Sequence, residues 1–184
     1  VADLVRALRE GRLPPLGRNA GRVGVVGHSM GGGVAILYAA RDWQVASVVT
    51  WASVSPVNRF PPEVVREWRE RGWTLIRNAR TGQELRMSTA YLDDIERNGE
   101  TLDILAAAGQ LRAPLLVLHG AADESVPVNE ARAISNAAGA RARLIVLPGA
   151  GHTFSISHPF QGVTPAYEVV VSETLLWLRD HVAC

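Results

Sequence analysis

No lysine occurs in this sequence, and all 19 of its basic residues are arginines. Schiff-base enzymes, P-loop nucleotide-binding proteins and Ser–Lys hydrolases each depend on a lysine amine, so the composition excludes these classes. Cysteine is almost absent as well, because Cys184 at the C-terminus is the single one. No intrachain disulfide can form, and a thiol at the end of the chain is a poor candidate for a catalytic nucleophile.

The sequence also lacks a charge excess and a long apolar run. It has 19 basic and 18 acidic residues, for a net charge of +1, whereas nucleic-acid-binding proteins carry a clear basic excess. No apolar run approaches the ~18 residues of a membrane span, and no secretory signal is visible. We therefore expect a soluble, cytoplasmic protein without a nucleic-acid or membrane partner.

The sequence does contain enough apolar material for one domain over residues 1–184. Apolar residues make up 47% of the chain, which suits a single sizeable core. Four β-branched apolar runs are typical of strands covered on both faces, as in parallel sheets. Helical patterns alternate with them, which predicts an α/β fold, a three-layer sandwich around a parallel sheet. The predicted strands are Arg22–Gly27, Val45–Trp51, Pro114–His119 and Arg143–Leu147, and the helices are Gly31–Arg41, Val128–Ala138 and Pro165–Val182.

The segment Pro56–Leu111 breaks this alternation. It contains 8 of the 19 arginines and 9 of the 18 acidic residues, and its stretch Glu63–Arg71 has the charge pattern of an exposed helix. We interpret the segment as a helical, cap-like insertion between the second and third predicted strands. It is either a solvated decoration or a lid or pocket wall over the functional site.

A G-x-S-x-G motif, Gly27-His28-Ser29-Met30-Gly31, follows the first predicted strand and opens a helix. In that context the serine sits on a tight turn, with its hydroxyl exposed at the carboxyl edge of the sheet. Gly27 and Gly31 avoid Cβ clashes in such a turn, and the Met30 N–H can face a developing oxyanion at the positive end of the helix. Ser29 is the candidate nucleophile, and the alternative is an ordinary helix N-cap.

A serine hydroxyl needs a base, and without lysine the base should be one of the five histidines. His152 lies in a glycine-rich loop after the last predicted strand, and parallel strands present their carboxyl ends at one edge of a sheet. We therefore predict His152 as the base. His119, at the end of the third predicted strand, is the second choice, with a buried structural role as its alternative. His28 and His158 are candidates for the wall of a substrate pocket.

The base in turn needs an acid that fixes its tautomer. Asp123 lies in the loop after the third predicted strand, at the same edge of the sheet as the other two residues. Its alternative role is an Asx turn within that loop. The chain order Ser29, Asp123, His152 is that of the α/β hydrolases and differs from the orders of the two other serine-triad folds.

The sequence resembles the α/β-hydrolase superfamily over essentially its whole length. The resemblance is carried by GHSMGG at 27–32, HGAADESVP at 119–127 and GAGHTF at 149–154. Within the superfamily, the chain looks like the dienelactone-hydrolase-like and prolyl-oligopeptidase-like serine hydrolases. This resemblance implies Ser29, Asp123 and His152 as the triad and a carboxylic ester as the substrate class. True dienelactone hydrolases use a cysteine nucleophile, whereas this chain has serine at that position.

The resemblance also implies that the N-terminal portion of the fold is missing from this sequence, because the family's sheet has further strands before those predicted here. That portion should carry the second oxyanion N–H donor. The first predicted strand would then form an apolar sheet edge, and such edges tend to associate. We therefore expect a homo-oligomer formed through this edge.

Together these observations predict a Ser-His-Asp hydrolase that cleaves carboxylic esters through an acyl-enzyme. Two alternatives stay open: an amidase or peptidase of the prolyl-oligopeptidase-like branch, which uses the same triad, and a non-catalytic, truncated fragment that oligomerises. No metal is expected, because no His, Cys, Asp or Glu pair has ligand spacing on one element, and no organic cofactor is expected. Further candidates for the substrate pocket are Trp51, Ser53 and Phe154.

Overall fold

The computed structural model describes residues 1–12, 22–77 and 82–182, so that Cys184 lies outside the described residues. In chain order the strands are β1 (Val23–His28), β2 (Val45–Trp51), β3 (Trp73–Arg77), β4 (Glu84–Ser88), β5 (Leu115–Gly120) and β6 (Ala142–Leu147). The helices are α1 (Ala2–Arg9), α2 (Met30–Arg41), α3 (Pro62–Arg71), α4 (Ala90–Asn98), α5 (Ile104–Gln110), α6 (Val128–Ala138) and α7 (Pro165–Val182). Within the described ranges, no helix is both long enough and apolar enough to cross a membrane.

The centre of the molecule is a four-stranded parallel sheet in the order β1–β2–β5–β6. Side chains from its central strands alternate between two apolar cores, since successive residues of a strand point to opposite faces. Val48 and Val117 pack into a core with α2, α5 and α6, whereas Val49 and Leu118 pack into a second core with Val170 of α7. The predicted parallel α/β sandwich is therefore confirmed.

Strand β1 lies at one end of this sheet and, among the described residues, pairs with β2 alone. Helix α7 covers β1 closely, because a Cβ on Gly24 would lie 2.5 Å from Leu178 Cδ2. The homo-oligomer expected through this edge stays a prediction.

A polar cluster joins α1 to the C-terminal end of α2. Arg9 Nη1 donates to Asp42 Oδ2 at 3.0 Å, and the Tyr38 hydroxyl donates to the same oxygen at 2.5 Å. Burial and the hydrogen bond to Asp42 raise the pKa of Tyr38 to about 12. Burial by itself would raise the pKa of Asp42, but the hydrogen bonds from Tyr38 and Arg9 outweigh it and lower that pKa. At neutral pH the cluster therefore pairs a neutral phenol and a charged guanidinium with a carboxylate.

The segment 56–111 differs from the prediction in two respects. It contains an antiparallel hairpin, β3–β4, between α3 and α4. Its last helix, α5, packs against α2 and α6, and Ile104 lies in the main core. The helix α5 therefore belongs to the sandwich, and the part of the segment outside the sandwich ends before it.

Outside the sandwich, segment 56–111 has a small aromatic core of its own. Trp68 is stacked on Tyr91 with ring centroids 5.9 Å apart, and Phe60 packs edge-on against Trp68 at 5.1 Å. Burial raises the pKa of Tyr91, whose hydroxyl donates to the Val57 carbonyl at 2.8 Å. These aromatic contacts hold α3 and α4 together as one unit.

Candidate active site

Ser29 sits on a strained turn between β1 and α2. Its φ of 57° and ψ of −124° place a non-glycine residue in the left-handed half of conformational space, which costs of order 1–3 kcal/mol and is typical of functional turns. Its backbone N–H donates to the Trp51 carbonyl at 2.8 Å, so the end of β2 holds the turn. The Ser29 side chain does not cap α2, and the N-cap alternative is therefore not supported.

The two glycines that flank the turn differ in how closely they are packed. A Cβ on Gly27 would lie 2.1 Å from the Gly31 carbonyl oxygen. Because this oxygen belongs to the main chain, only a shift of the backbone could relieve the clash. A Cβ on Gly31 would meet no atom from another part of the described chain within 4 Å. The predicted steric need for glycine is thus confirmed at Gly27 and wrong at Gly31, because a Cβ on Gly31 would point into open space.

This difference gives a matched pair of variants. Gly27→Ala should destabilise the fold by about 3 kcal/mol or more, since the clash is with backbone rather than with a flexible side chain. Gly31→Ala should leave stability unchanged or raise it by up to about 1 kcal/mol, because alanine restricts the unfolded chain. Urea unfolding followed by circular dichroism measures both. Equal losses of stability in the two variants would contradict this account of the turn.

His152 lies in the loop after β6 and faces Ser29. Its Nε2 is 3.1 Å from Ser29 Oγ, and its Nδ1 is 2.8 Å from Asp123 Oδ2. A carboxylate only accepts, so Nδ1 carries the hydrogen and Nε2 is left to accept from the serine hydroxyl. The imidazole is therefore held in the tautomer that can take a proton from Ser29.

The two carboxylate oxygens of Asp123 have different partners. Oδ1 accepts hydrogen bonds from the backbone N–H groups of Ser125 and Val126, at 2.9 and 2.8 Å. Oδ2 accepts from His152 Nδ1, and the carboxylate is fully buried. Oδ1 therefore forms the Asx turn, whereas Oδ2 forms the hydrogen bond that orients His152.

His119 is fully buried beneath the Asp123 loop. Its Nε2 donates to the Val126 carbonyl at 2.8 Å and lies 3.4 Å from Asp123 Oδ2. The nitrogen that faces Ser29 Oγ is His152 Nε2, whereas His119 is directed to the loop that contains Asp123. The structural role considered for it agrees with these contacts.

Two of the predicted pocket residues, Ser53 and Phe154, lie in the interior. Phe154 is 1% exposed and packs edge-on against Trp51, whose indole N–H donates to Thr174 Oγ1 on α7 at 3.0 Å. Ser53 is 1% exposed and its hydroxyl donates to the Val54 carbonyl. The burial of Ser53 and Phe154 argues against their pocket assignment, whereas Trp51 is half-buried, and its pocket assignment stays a prediction. His28, Met30 and His158 are exposed.

Arg59 was not among the predicted residues, and it connects the start of segment 56–111 to the loop that contains Asp123. One of its Nη2 hydrogen bonds goes to the Ser125 carbonyl at 3.0 Å, and another goes to Glu130 Oε1 at 2.9 Å. Glu130 Oε2 also accepts from the Ser55 N–H at 2.6 Å. No local pattern marks Arg59 among 19 arginines, because its partners are more than sixty residues away in the chain.

Comparison with known proteins adds evidence on the family. The family model that matches the chain is described as the alpha/beta hydrolase family, and the match covers residues 1–166. No curated protein is similar enough in sequence to count as a relative.

Solved structures of low sequence identity share the fold. An esterase domain from Rhodothermus marinus is 23% identical, with a TM-score of 0.62 over 98% of this chain and 69% of that one. A monoacylglycerol lipase from Paleococcus ferrophilus is 18% identical, with a TM-score of 0.68 over 97% of this chain and 74% of that one. A proposed dienelactone hydrolase from Klebsiella pneumoniae is 21% identical, with a TM-score of 0.61 over 98% of this chain and 60% of that one.

Proposed function

The chain belongs to the alpha/beta hydrolase family, and from this premise we propose that it is a serine hydrolase that cleaves carboxylic esters through an acyl-enzyme. The observation that carries the proposal is the continuous line of hydrogen bonds from Ser29 through His152 to Asp123, at 3.1 and 2.8 Å. Such a line is what a serine hydroxyl needs to lose its proton during attack. In this proposal Ser29 is the nucleophile, His152 the base and Asp123 the acid.

The proposed reaction has two steps. Ser29 Oγ attacks the ester carbonyl carbon while His152 Nε2 takes the hydroxyl proton, and collapse of the tetrahedral intermediate expels the alcohol, which receives that proton. Water then attacks the acyl-enzyme with His152 again as the base, and Ser29 is released with the carboxylic acid. Asp123 keeps its negative charge throughout and stabilises the imidazolium that forms in each step.

The Met30 N–H is the proposed oxyanion donor. Met30 is the first residue of α2, so its N–H has no acceptor within the helix and lies at the positive end of the helix dipole. The negative charge of the tetrahedral intermediate develops on the carbonyl oxygen beside Ser29. A fixed N–H donor directed at that oxygen lowers the energy of the transition state more than that of the bound ester.

An active-site probe tests the proposal directly. Incubation with a fluorophosphonate should add one phosphonyl group per chain, and peptide mass spectrometry should locate it on the peptide that contains Ser29. Protein unfolded in urea is the matched control, because the hydroxyl loses its base on unfolding and labelling should stop. Absence of an adduct in folded protein, or an adduct on another serine, would contradict the proposal. Hydrolysis rates for p-nitrophenyl esters and anilides would then separate ester from amide preference.

A further inference from the structure

We infer that His28 is a positioning residue that holds the main chain of His152 against the strand that carries Ser29; the inference rests on the proposed function. His28 is the last residue of β1 and directly precedes Ser29. Its Nε2 lies 3.0 Å from the carbonyl oxygen of His152. A carbonyl only accepts, so His28 Nε2 carries the hydrogen and donates it. The bond joins strand β1 to the loop that contains His152, and the two residues are 124 positions apart in the chain.

This contact reaches a part of His152 that the other two contacts do not. Ser29 and Asp123 bond to the imidazole nitrogens, whereas His28 bonds to the backbone of the same residue. The two rings also touch, with centroids 4.8 Å apart and planes tilted by 48°. Asp123 thus holds the ring of His152, and His28 of β1 holds its main chain. Together these two contacts set the orientation of Nε2 and its distance from Ser29.

The position of the base matters because proton transfer depends steeply on geometry, and a displacement of about 1 Å can cost up to about 10²-fold in rate. His152 stands in a loop, where the backbone has no strand ladder to fix it. The neutral His28 tautomer with its hydrogen on Nε2 and the His28 imidazolium both carry the Nε2–H group. The hydrogen bond to the His152 carbonyl therefore does not depend on the charge of His28. We therefore assign His28 to positioning rather than to the pocket wall.

Two amide variants separate the role of this donor from other effects. In His28→Gln the longer amide places its NH₂ close to the position of Nε2, whereas in His28→Asn the amide is too short to reach the His152 carbonyl. With p-nitrophenyl butyrate as substrate, we expect His28→Asn to lower kcat about tenfold, the rate equivalent of one lost hydrogen bond, with KM unchanged. His28→Gln should recover most of that loss. His181→Asn on α7 is the control for replacing a histidine far from Ser29.

Imidazole nitrogen NMR gives a readout that does not require activity. The His152 resonances should move further in His28→Asn than in His28→Gln, because both variants lose the ring contact and only His28→Asn loses the hydrogen bond. Equal kcat values for the two amide variants, a change in KM alone, or unmoved His152 resonances in His28→Asn would overturn the inference. If the wild type hydrolyses no ester while the His152 resonances respond as described, the proposed function fails and the positioning role of His28 stands.

Discussion

Replacing Ser29 by alanine is expected to lower kcat for p-nitrophenyl butyrate hydrolysis about 10⁶-fold, as removal of a triad nucleophile does. The hydroxyl supplies the oxygen that forms the acyl-enzyme, and this oxygen lies 3.1 Å from His152 Nε2. The fold should be unaffected, because the Ser29 side chain does not cap α2 and alanine keeps the same Cβ on the turn. Steady-state kinetics and the unfolding transition measure the two parts of this prediction.

The control for this variant is a serine in the buried part of the sheet. Ser47 lies within β2 at 0% exposure, and its hydroxyl has no hydrogen-bond partner among the described residues. Ser47→Ala should keep both the kcat and the fluorophosphonate adduct. If a folded Ser29→Ala protein still hydrolyses the ester at more than a trace rate, Ser29 is not the nucleophile.

The second large effect is expected from Asp123→Asn, which should lower kcat about 10⁴-fold with little change in the fold. The structure explains why the amide would be oriented unfavourably. The backbone N–H groups of Ser125 and Val126 both donate to Oδ1, so the asparagine oxygen would occupy that position. Its NH₂ group would then face His152 Nδ1. The imidazole would have to accept at Nδ1 and carry its hydrogen on Nε2, where it could no longer take the proton of Ser29.

Glu124→Gln is the matched control for this variant. Glu124 is the neighbouring acid and is exposed, so its loss should leave kcat unchanged. Parallel kinetics on Asp123→Asn and Glu124→Gln compare an amide for a carboxylate at adjacent positions. Similar kcat values in the two variants would show that the carboxylate of Asp123 has no part in fixing the His152 tautomer.

The four strands of the parallel sheet and their succession along the chain could be predicted from the sequence. The apolar runs of β2 and β5 are buried on both faces, and this environment is what a continuous apolar run indicates. Gly27 could be recognised because a tight strand–turn–helix connection leaves no room for a Cβ. Each of these predictions depends on neighbours within a few residues, which the chain itself supplies.

The hairpin β3–β4 and the place of α5 could not be predicted in the same way. The hairpin strands are short and carry charges, and Trp73 is packed under the guanidinium groups of Arg71 and Arg86, with 5.3 and 4.4 Å to the ring centroid. Helix α5 looks like a continuation of the preceding segment, yet contacts with α2 and α6 make it part of the sandwich. Those contacts come from elements distant in the sequence.

Residue types and their spacing establish which chemical groups the protein has, in which order they follow the strands, and that parallel strands bring them to one edge of the sheet. The direction in which each side chain points depends on contacts between distant parts of the chain. Phe154 lies two residues after His152 but turns inward at a φ of 54° to pack on Trp51. His28 precedes Ser29 but bonds to the main chain of His152. The physical reason is that backbone dihedrals at the ends of strands, together with packing from distant helices and loops, set side-chain direction there, and residue type and spacing do not encode it.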